Sequence, residues 1–267
     1  MIHLRQLTIR SDQINAGGYP FSVPAIQHIQ TIEFISPVTI FVGENGSGKS
    51  SLLEAMAVAI GSIAIGREEI SKDEAMHAVK PLADVMQLVW NKRTHRGFFL
   101  RAEDFFGFVQ RVRSMRRDMI AEMDRVERDY AGRSEYAKML AKGPSASSLS
   151  AMEQRYGQDL DANSHGESFL TIFQSRFVPG GLYLLDEPEA ALSPLRQLGL
   201  IALIKQMVKQ KAQFVMATHS PILMATPGAK ILDLDQDPPE YQDYEEIEQV
   251  KLYRSFLDDP ESFVRRL

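Results

Sequence analysis

The sequence predicts an α/β fold in which a mostly parallel sheet is covered by helices, because strand-like and helix-like segments alternate along it. Three strand-like runs carry the argument. Val38-Thr39-Ile40-Phe41-Val42 is a continuous apolar, β-branched run that leads straight into Gly43-Glu44-Asn45-Gly46-Ser47-Gly48-Lys49-Ser50. Gly181-Leu182-Tyr183-Leu184-Leu185 has the pattern of a buried strand and ends on two adjacent carboxylates, Asp186 and Glu187. Gln213-Phe214-Val215-Met216-Ala217 ends on Thr218-His219-Ser220-Pro221. Open α/β sheets place their ligands beyond such strand ends, so the polar residues there are candidates for chemistry.

Taken in order, a β-like segment over Ile2–Arg10 opens the chain and a Gly/Pro-containing connection spans Gly17–Pro24. Strands are expected near Thr31–Phe34 and Val38–Val42, then a helix from Ser51 to about Ile60. A second helix is expected over Ala75–Trp90, followed by the basic turn Asn91–Arg96 and a short strand at Phe98–Leu100. Phe105, Val109, Val112, Met115, Met119, Met123 and Val126 recur every three or four positions, which predicts an amphipathic helix burying one stripe. A short helical piece over Tyr136–Ala141 runs into Gly143-Pro144-Ser145-Ala146-Ser147-Ser148, expected as a polar hinge. Phe169–Phe173 continues as a helix into the acidic strand. Over Pro194–Lys211, Leu195, Leu198, Ile201, Ile204 and Val208 share a face expected to cover the core. Lys230–Leu234 is the last expected strand, and no internal repeat is present. The expected division is 1–103, carrying the glycine-rich loop; 104–168, a helical insert; and 169–267, carrying the acidic and histidine strand ends.

The loop at Gly43 has the complete G-x-x-x-x-G-K-S spacing. Glycines let the backbone curl so that successive N–H groups point at phosphate oxygens, and the following helix start adds its positive dipole end. Lys49 is placed for the β- and γ-phosphates and the Ser50 hydroxyl for Mg²⁺, so residues Gly43, Glu44, Asn45, Gly46, Ser47, Gly48, Lys49, Ser50 and Ser51 are expected to bind a nucleoside triphosphate. The alternative is a plain glycine-rich turn, disfavoured by a strand pattern before it and a helix pattern after it. An acidic pair at a strand end repels itself unless a cation compensates. Asp186 is therefore expected to hold the metal and Glu187 to take a proton from attacking water, against the alternative of a solvated strand end before Pro188. A lone histidine is more often structural. The order of loop, acidic strand end and histidine strand end favours His219 as a donor to the γ-phosphate.

With 267 residues and 44% hydrophobic content, the chain can bury a substantial core. It contains no cysteine, which excludes disulfides and thiolate metal sites and fits a reducing compartment. The N-terminus lacks a signal-peptide core, and the apolar stretch Leu52–Ile65 is too short to span a bilayer, so a cytoplasmic protein without membrane insertion is expected. Between Asn91 and Arg117, eight Lys/Arg stand against Glu103 and Asp104. That excess is either a nucleic-acid footprint or a solvated helix face with arginines that neutralise the nucleotide; the net charge of −5 favours the latter. Glu240, Asp243, Glu245, Glu246 and Glu248 form an opposite, acidic segment, expected as a solvated loop and helix start.

These motifs resemble the nucleotide-binding domain of ABC-type ATPases, on the branch that includes SMC proteins and their DNA-repair relatives. Asp186-Glu187-Pro188-Glu189-Ala190-Ala191-Leu192-Ser193-Pro194 resembles that family's Walker B segment and D-loop, and Thr218-His219-Ser220 its switch histidine. Asn163-Ser164-His165-Gly166-Glu167-Ser168 stands where the family keeps its signature sequence; Ser164, Gly166 and Glu167 fit, while Asn163 and His165 depart. The whole chain is also similar to small stand-alone bacterial predicted AAA/ABC ATPases, through Tyr19-Pro20-Phe21, Gly97–Glu103 and Phe256–Glu261. The resemblance implies a P-loop NTPase fold of ABC type with a smaller helical lobe. It implies Mg²⁺-dependent ATP hydrolysis and a homodimer formed around ATP, in which Ser164 and the Gly166 N–H reach the γ-phosphate of the opposing subunit. It places Glu103 where the family has a Mg²⁺-sensing glutamine, with Gln110 as the fallback. The insert occupies the slot of the SMC coiled coil but is expected to hold only about two short helices, so tethering by a long arm is not expected. Three classes stay open: a switch acting on nucleic acid in repair or defence, a regulatory ATPase subunit controlling a protein effector, and the motor subunit of a membrane transporter.

Overall fold

In the computed structural model, residues 1–10, 17–63, 74–156 and 165–265 are described. Strand β1 (Leu4–Ile9) leads through the short helix α1 (Pro24–His28) to β2 (Thr31–Glu33) and β3 (Val38–Val42). The glycine-rich loop then feeds α2 (Lys49–Ile60), which ends at Gly61 in the left-handed conformation. Next come α3 (Glu74–Val85), β4 (Met86–Trp90) and β5 (Gly97–Arg101). The insert is made of α4 (Ala102–Asp129) and α5 (Glu135–Tyr156), followed by α6 (His165–Arg176). The remainder is β6 (Leu182–Asp186), α7 (Pro194–Lys209), β7 (Gln213–Ala217), α8 (Pro221–Met224), β8 (Lys230–Asp233), β9 (Glu240–Gln242), α9 (Glu248–Asp258) and α10 (Pro260–Val264).

The central sheet has the order β5-β6-β7-β3-β8-β9, parallel throughout except for the antiparallel edge pair β8–β9. Its inner strands β3, β6 and β7 are buried on both faces, as a parallel sheet requires. Ile40, Leu185 and Met216 face a cluster with Val109 and Val112 of α4, Phe173 of α6 and Leu200 and Ile204 of α7. Phe41, Leu184 and Val215 face the opposite cluster, with Leu52, Leu53 and Met56 of α2 and the second sheet, β2-β1-β4. Buried Gln213 ties the two sheets together: its Oε1 accepts from His3 N at 2.7 Å and Leu4 N at 2.8 Å, and its Nε2 donates to Leu4 O at 2.9 Å. Three adjacent central strands, β6, β7 and β3, therefore deliver their C-terminal ends side by side.

Four local expectations are corrected. The expected helix over Ala75–Trp90 stops at Val85, because Met86–Trp90 pairs antiparallel with β1 from Leu4 to Ile9 and the β-branched and aromatic residues there suit a strand. The expected hinge at Gly143–Ser148 is helical. One partly buried face of α5, through Lys138, Ala141, Ser145, Leu149 and Met152, lies along α4, and Lys138 and Lys142 both reach Glu127, so packing overrides the local breakers. The insert is thus a hairpin of 28- and 22-residue helices rather than two short ones; at the usual rise α4 is about 40 Å long. On α7 the buried face is Gln197, Leu200, Leu203, Ile204 and Met207, while Leu195 and Leu198 are 74% and 54% exposed. Among the described residues no helix is long and apolar enough to cross a membrane.

Candidate functional site

The loop between β3 and α2 needs its glycines for space as well as for backbone freedom. Gly43 has φ 144°, and a Cβ there would stand 2.7 Å from Ser47 Oγ and 2.9 Å from Asp235 Oδ1. Gly48 has φ 102°, and a Cβ there would meet Val23 Cγ1 at 2.7 Å, so the start of α1 braces the loop from below. Lys49 is buried inside the curl, its Nζ donating to Gly43 O at 2.8 Å and Glu44 O at 2.7 Å. Burial lowers its pKa, opposed by the charges of Asp235, Glu187, Asp186 and Glu189.

The other two strand ends converge on this loop. Ser50 Oγ donates to Asp186 Oδ1 at 3.1 Å. Asp186 is only 7% exposed, and burial pushes its carboxyl up to about 7; the Ser50 hydrogen bond opposes the shift, the Glu187 charge adds to it and Arg101 counters it. Glu187 sits in the left-handed region at φ 47°, unusual for a non-glycine residue, and its N–H donates to Ala217 O at 2.9 Å. This twist turns its half-exposed carboxylate to within 3.8 Å of His219 Nε2. The register makes the meeting possible: Ala217, one step before Thr218, lies beside both Asp186 of β6 and Phe41 of β3.

Several participants were not legible as such in the sequence. Glu189 Oε1 accepts from the His219 backbone N at 2.6 Å, locking the segment after β6 to the end of β7. Asp235 Oδ2 accepts from Glu44 N at 2.7 Å, using one of the loop's donors, and its own N–H is held by Asp233 Oδ1 at 3.0 Å. Gln249 of α9 approaches His219 Nδ1 at 3.3 Å. Arg101, counted with the basic cluster from the sequence, is instead buried against Glu54 at 2.6 Å, and Arg116 pairs with Glu153 at 3.6 Å. Beside the loop opens a cleft of about 730 Å³, walled by α1, the turn after β8 and α9. Glu189 alone had a sequence signal, its place in the Asp186–Pro194 run; the rest depend on contacts between distant segments.

The expected residues divide as follows. Gly43 to Ser51, Asp186, Glu187 and His219 gather at one end of the sheet; Asn45 is exposed, and Ser51 Oγ lies 3.0 Å from Tyr19 Oη. Ser164 lies outside the described residues, as do the side chains of Glu167 and Glu103, while Gly166 stands in the first turn of α6. Gln110 is exposed on α4. The donor set fits a Mg²⁺ ion: a hydroxyl and a buried carboxylate meet beside the glycine-rich loop, and burial, which disfavours the charged form of Asp186, is a penalty that a divalent cation would offset.

Residues 20–96, which contain the loop, match a family described as "AAA domain". Residues 168–225, which contain Asp186, Glu187 and His219, match one described as "AAA domain, putative AbiEii toxin, Type IV TA system". These two matches support an ATP-hydrolysing enzyme. Its phosphate loop and its acidic and histidine strand ends fall within these two matches, and the helical hairpin of the ATPase lies between them. Similar solved structures include the Smc head domain with an extended coiled coil bound to the C-terminal domain of ScpA from Pyrococcus furiosus, at 14% identity and TM-score 0.48 over 96% of this chain and 100% of that one. A nucleotide-free ATP-binding cassette from an ABC transporter gives 13% identity and TM-score 0.48 over 98% of this chain and 97% of that one. The SMC head domain from Thermotoga maritima gives 15% identity and TM-score 0.44 over 90% and 98%. No curated protein matches the ATPase.

Proposed function

We propose that this ATPase is an ATP-driven switch: two copies associate around Mg²⁺-ATP and separate on hydrolysis. The observation that carries the chemistry is the convergence of Lys49, the Ser50–Asp186 pair and the Glu187–His219 pair at adjacent parallel strand ends. In this reading the loop N–H groups from Gly43 to Ser51 bind the phosphates and Lys49 neutralises the β- and γ-oxygens. Mg²⁺, when bound, supplies charge neutralisation on the same oxygens, with Ser50 and Asp186 as its holders. Glu187 is half-exposed, so it can meet water and accept its proton, while His219 donates from Nε2 to the γ-phosphate. Positioning and fixed charge dominate phosphoryl transfer, which suits a site whose members are held by buried strands.

Dimerisation rests on the family resemblance, which assigns Ser164, Gly166 and Glu167 to the partner's nucleotide, and on exposed Leu195 and Leu198 directly after the acidic segment. For the cellular role we favour a nucleic-acid context in the cytoplasm: Lys92, Arg93 and Arg96 remain exposed on the β4–β5 turn, and Arg111 and Arg117 on α4. Control of a protein effector is the second reading. It draws on the exposed apolar residues Leu252, Tyr253, Leu257 and Val264 of α9 and α10. ATP-stimulated DNA binding that weakens with salt selects the first; its absence, with capture of a defined protein, selects the second.

The test of the switch is Glu187→Gln. With Mg²⁺-ATP it is expected to keep nucleotide bound, to turn over about 100-fold or more slowly, and to elute as a dimer. Wild-type turnover would remove Glu187 as the base, and a monomer with ATP bound would remove the dimer.

A further inference from the structure

The two nitrogens of the His219 ring differ in what they meet. Nδ1 lies 3.3 Å from Gln249 Nε2, whereas Nε2 is shielded from solvent, has no hydrogen-bond partner among the described residues, and lies 3.8 Å from Glu187 Oε1. Charged groups face the ring from several elements: Lys49 from α2, Glu187 and Glu189 from the segment after β6, and Asp235 from the turn after β8. Burial and Lys49 lower the histidine's pKa and outweigh the two carboxylates that oppose them, so the ring is neutral near pH 7 and carries one N–H.

Which nitrogen carries it is decided by the neighbours. A carboxylate only accepts, so an Nε2 lone pair turned to Glu187 would set two acceptors against each other. With the proton on Nε2 that contact becomes favourable, and Nδ1 must then accept, which requires the Gln249 amide to present its NH₂, the orientation observed. Gln249 is well placed to hold this choice, because α9 is anchored by Ile247 and Val250 in the core beneath the sheet.

We infer that Gln249 is a positioning residue: it fixes the Nε2–H tautomer of His219 and leaves that hydrogen unspent for the terminal phosphate of a bound nucleotide. The inference rests on the reading of His219 given under Proposed function. It makes α9, which lies outside the glycine-rich loop and the acidic and histidine strand ends, part of the active machinery.

The experiment is ¹⁵N NMR of histidine side chains in the nucleotide-free full chain, with His219 assigned by the signals lost in His219→Gln. The wild type is expected to show His219 as a single Nε2–H tautomer. In Gln249→Met the spectrum should become a mixture of tautomers, and turnover should fall about three- to tenfold, the loss expected for one neutral hydrogen bond. KM for ATP should stay within about twofold, as for a group that acts on the transition state rather than on binding. An Nδ1–H tautomer in the wild type overturns the inference, as does an unchanged spectrum or an unchanged turnover in the variant. The wild-type spectrum decides its part even if the variant folds poorly. Failure of the underlying reading looks different: His219→Ala would hydrolyse ATP at the wild-type rate, whatever tautomer the wild type shows.

Discussion

Asp186 shows how a single side chain stores the demand for a ligand. Its carboxyl is buried among Ser50, Glu187 and Glu189, and burial holds it near 7 rather than at the ordinary 3.8. In the metal-free protein the folded state therefore binds a proton that the unfolded chain releases above about 4. The sign follows: this contribution to stability is complete at low pH and is lost as pH rises through 7. In a chelating buffer, thermal melts should fall between pH 5 and 8, and Asp186→Asn should flatten that slope while losing Mg²⁺-dependent hydrolysis; an equal slope in the variant would contradict it. The neighbouring residues of the loop were readable from the sequence because their geometry is local: glycine at Gly43 and Gly48 is demanded by positive φ. Asp235 and Gln249 were not, since each reaches its partner from more than 25 residues away and belongs to no pattern.

At the scale of elements, the chain resolves conflicts between local preference and packing in both directions. Met86–Trp90 completes a helical-looking stretch in sequence, yet pairing with β1 makes it a strand. Helix α5 runs through Gly143 and Pro144 although both disfavour helix, because its inner face is matched to α4. Pro144 is exposed, so burial at that position does little to offset its cost to the helix. Pro144→Ala should therefore stabilise the hairpin by about 1–3 kcal/mol, visible as a later denaturant midpoint by far-UV circular dichroism. No gain, or loss of helix signal, would mean that the proline is accommodated without cost. On α7 the sequence offers Leu195, Leu198, Leu200, Ile201, Leu203, Ile204, Met207 and Val208 in one helix, which leaves several faces almost equally apolar. Periodicity alone then selects a face turned away from the buried one, sharing Ile204 with it but leaving Leu195 and Leu198 exposed.

For the molecule as a whole, the face of α7 left uncovered has a consequence. Leu195 and Leu198 stand at the start of that helix, just past the acidic segment, and in the proposed dimer they are covered by the second copy. Leu198→Glu in the Glu187→Gln background should keep ATP bound yet elute as a monomer, because a charge at a closed apolar contact is not solvated; a persistent dimer would place the interface elsewhere. The net charge of −5 is spread so that part of the basic cluster is spent internally, Arg101 on Glu54 and Arg116 on Glu153, and a count of charges along the chain could not reveal this. The alternating α/β plan, the glycine-rich loop and the carboxylate and histidine at the strand ends were readable along the chain, since contiguous residues with fixed spacing dictate backbone shape and strand burial. Only in the folded molecule is it set which strands lie side by side, which helix face is buried, that Arg101 serves the core, and that Asp235 and Gln249 attend the site. Those outcomes depend on parallel pairing and contacts between segments far apart in the chain, for which no local periodicity exists.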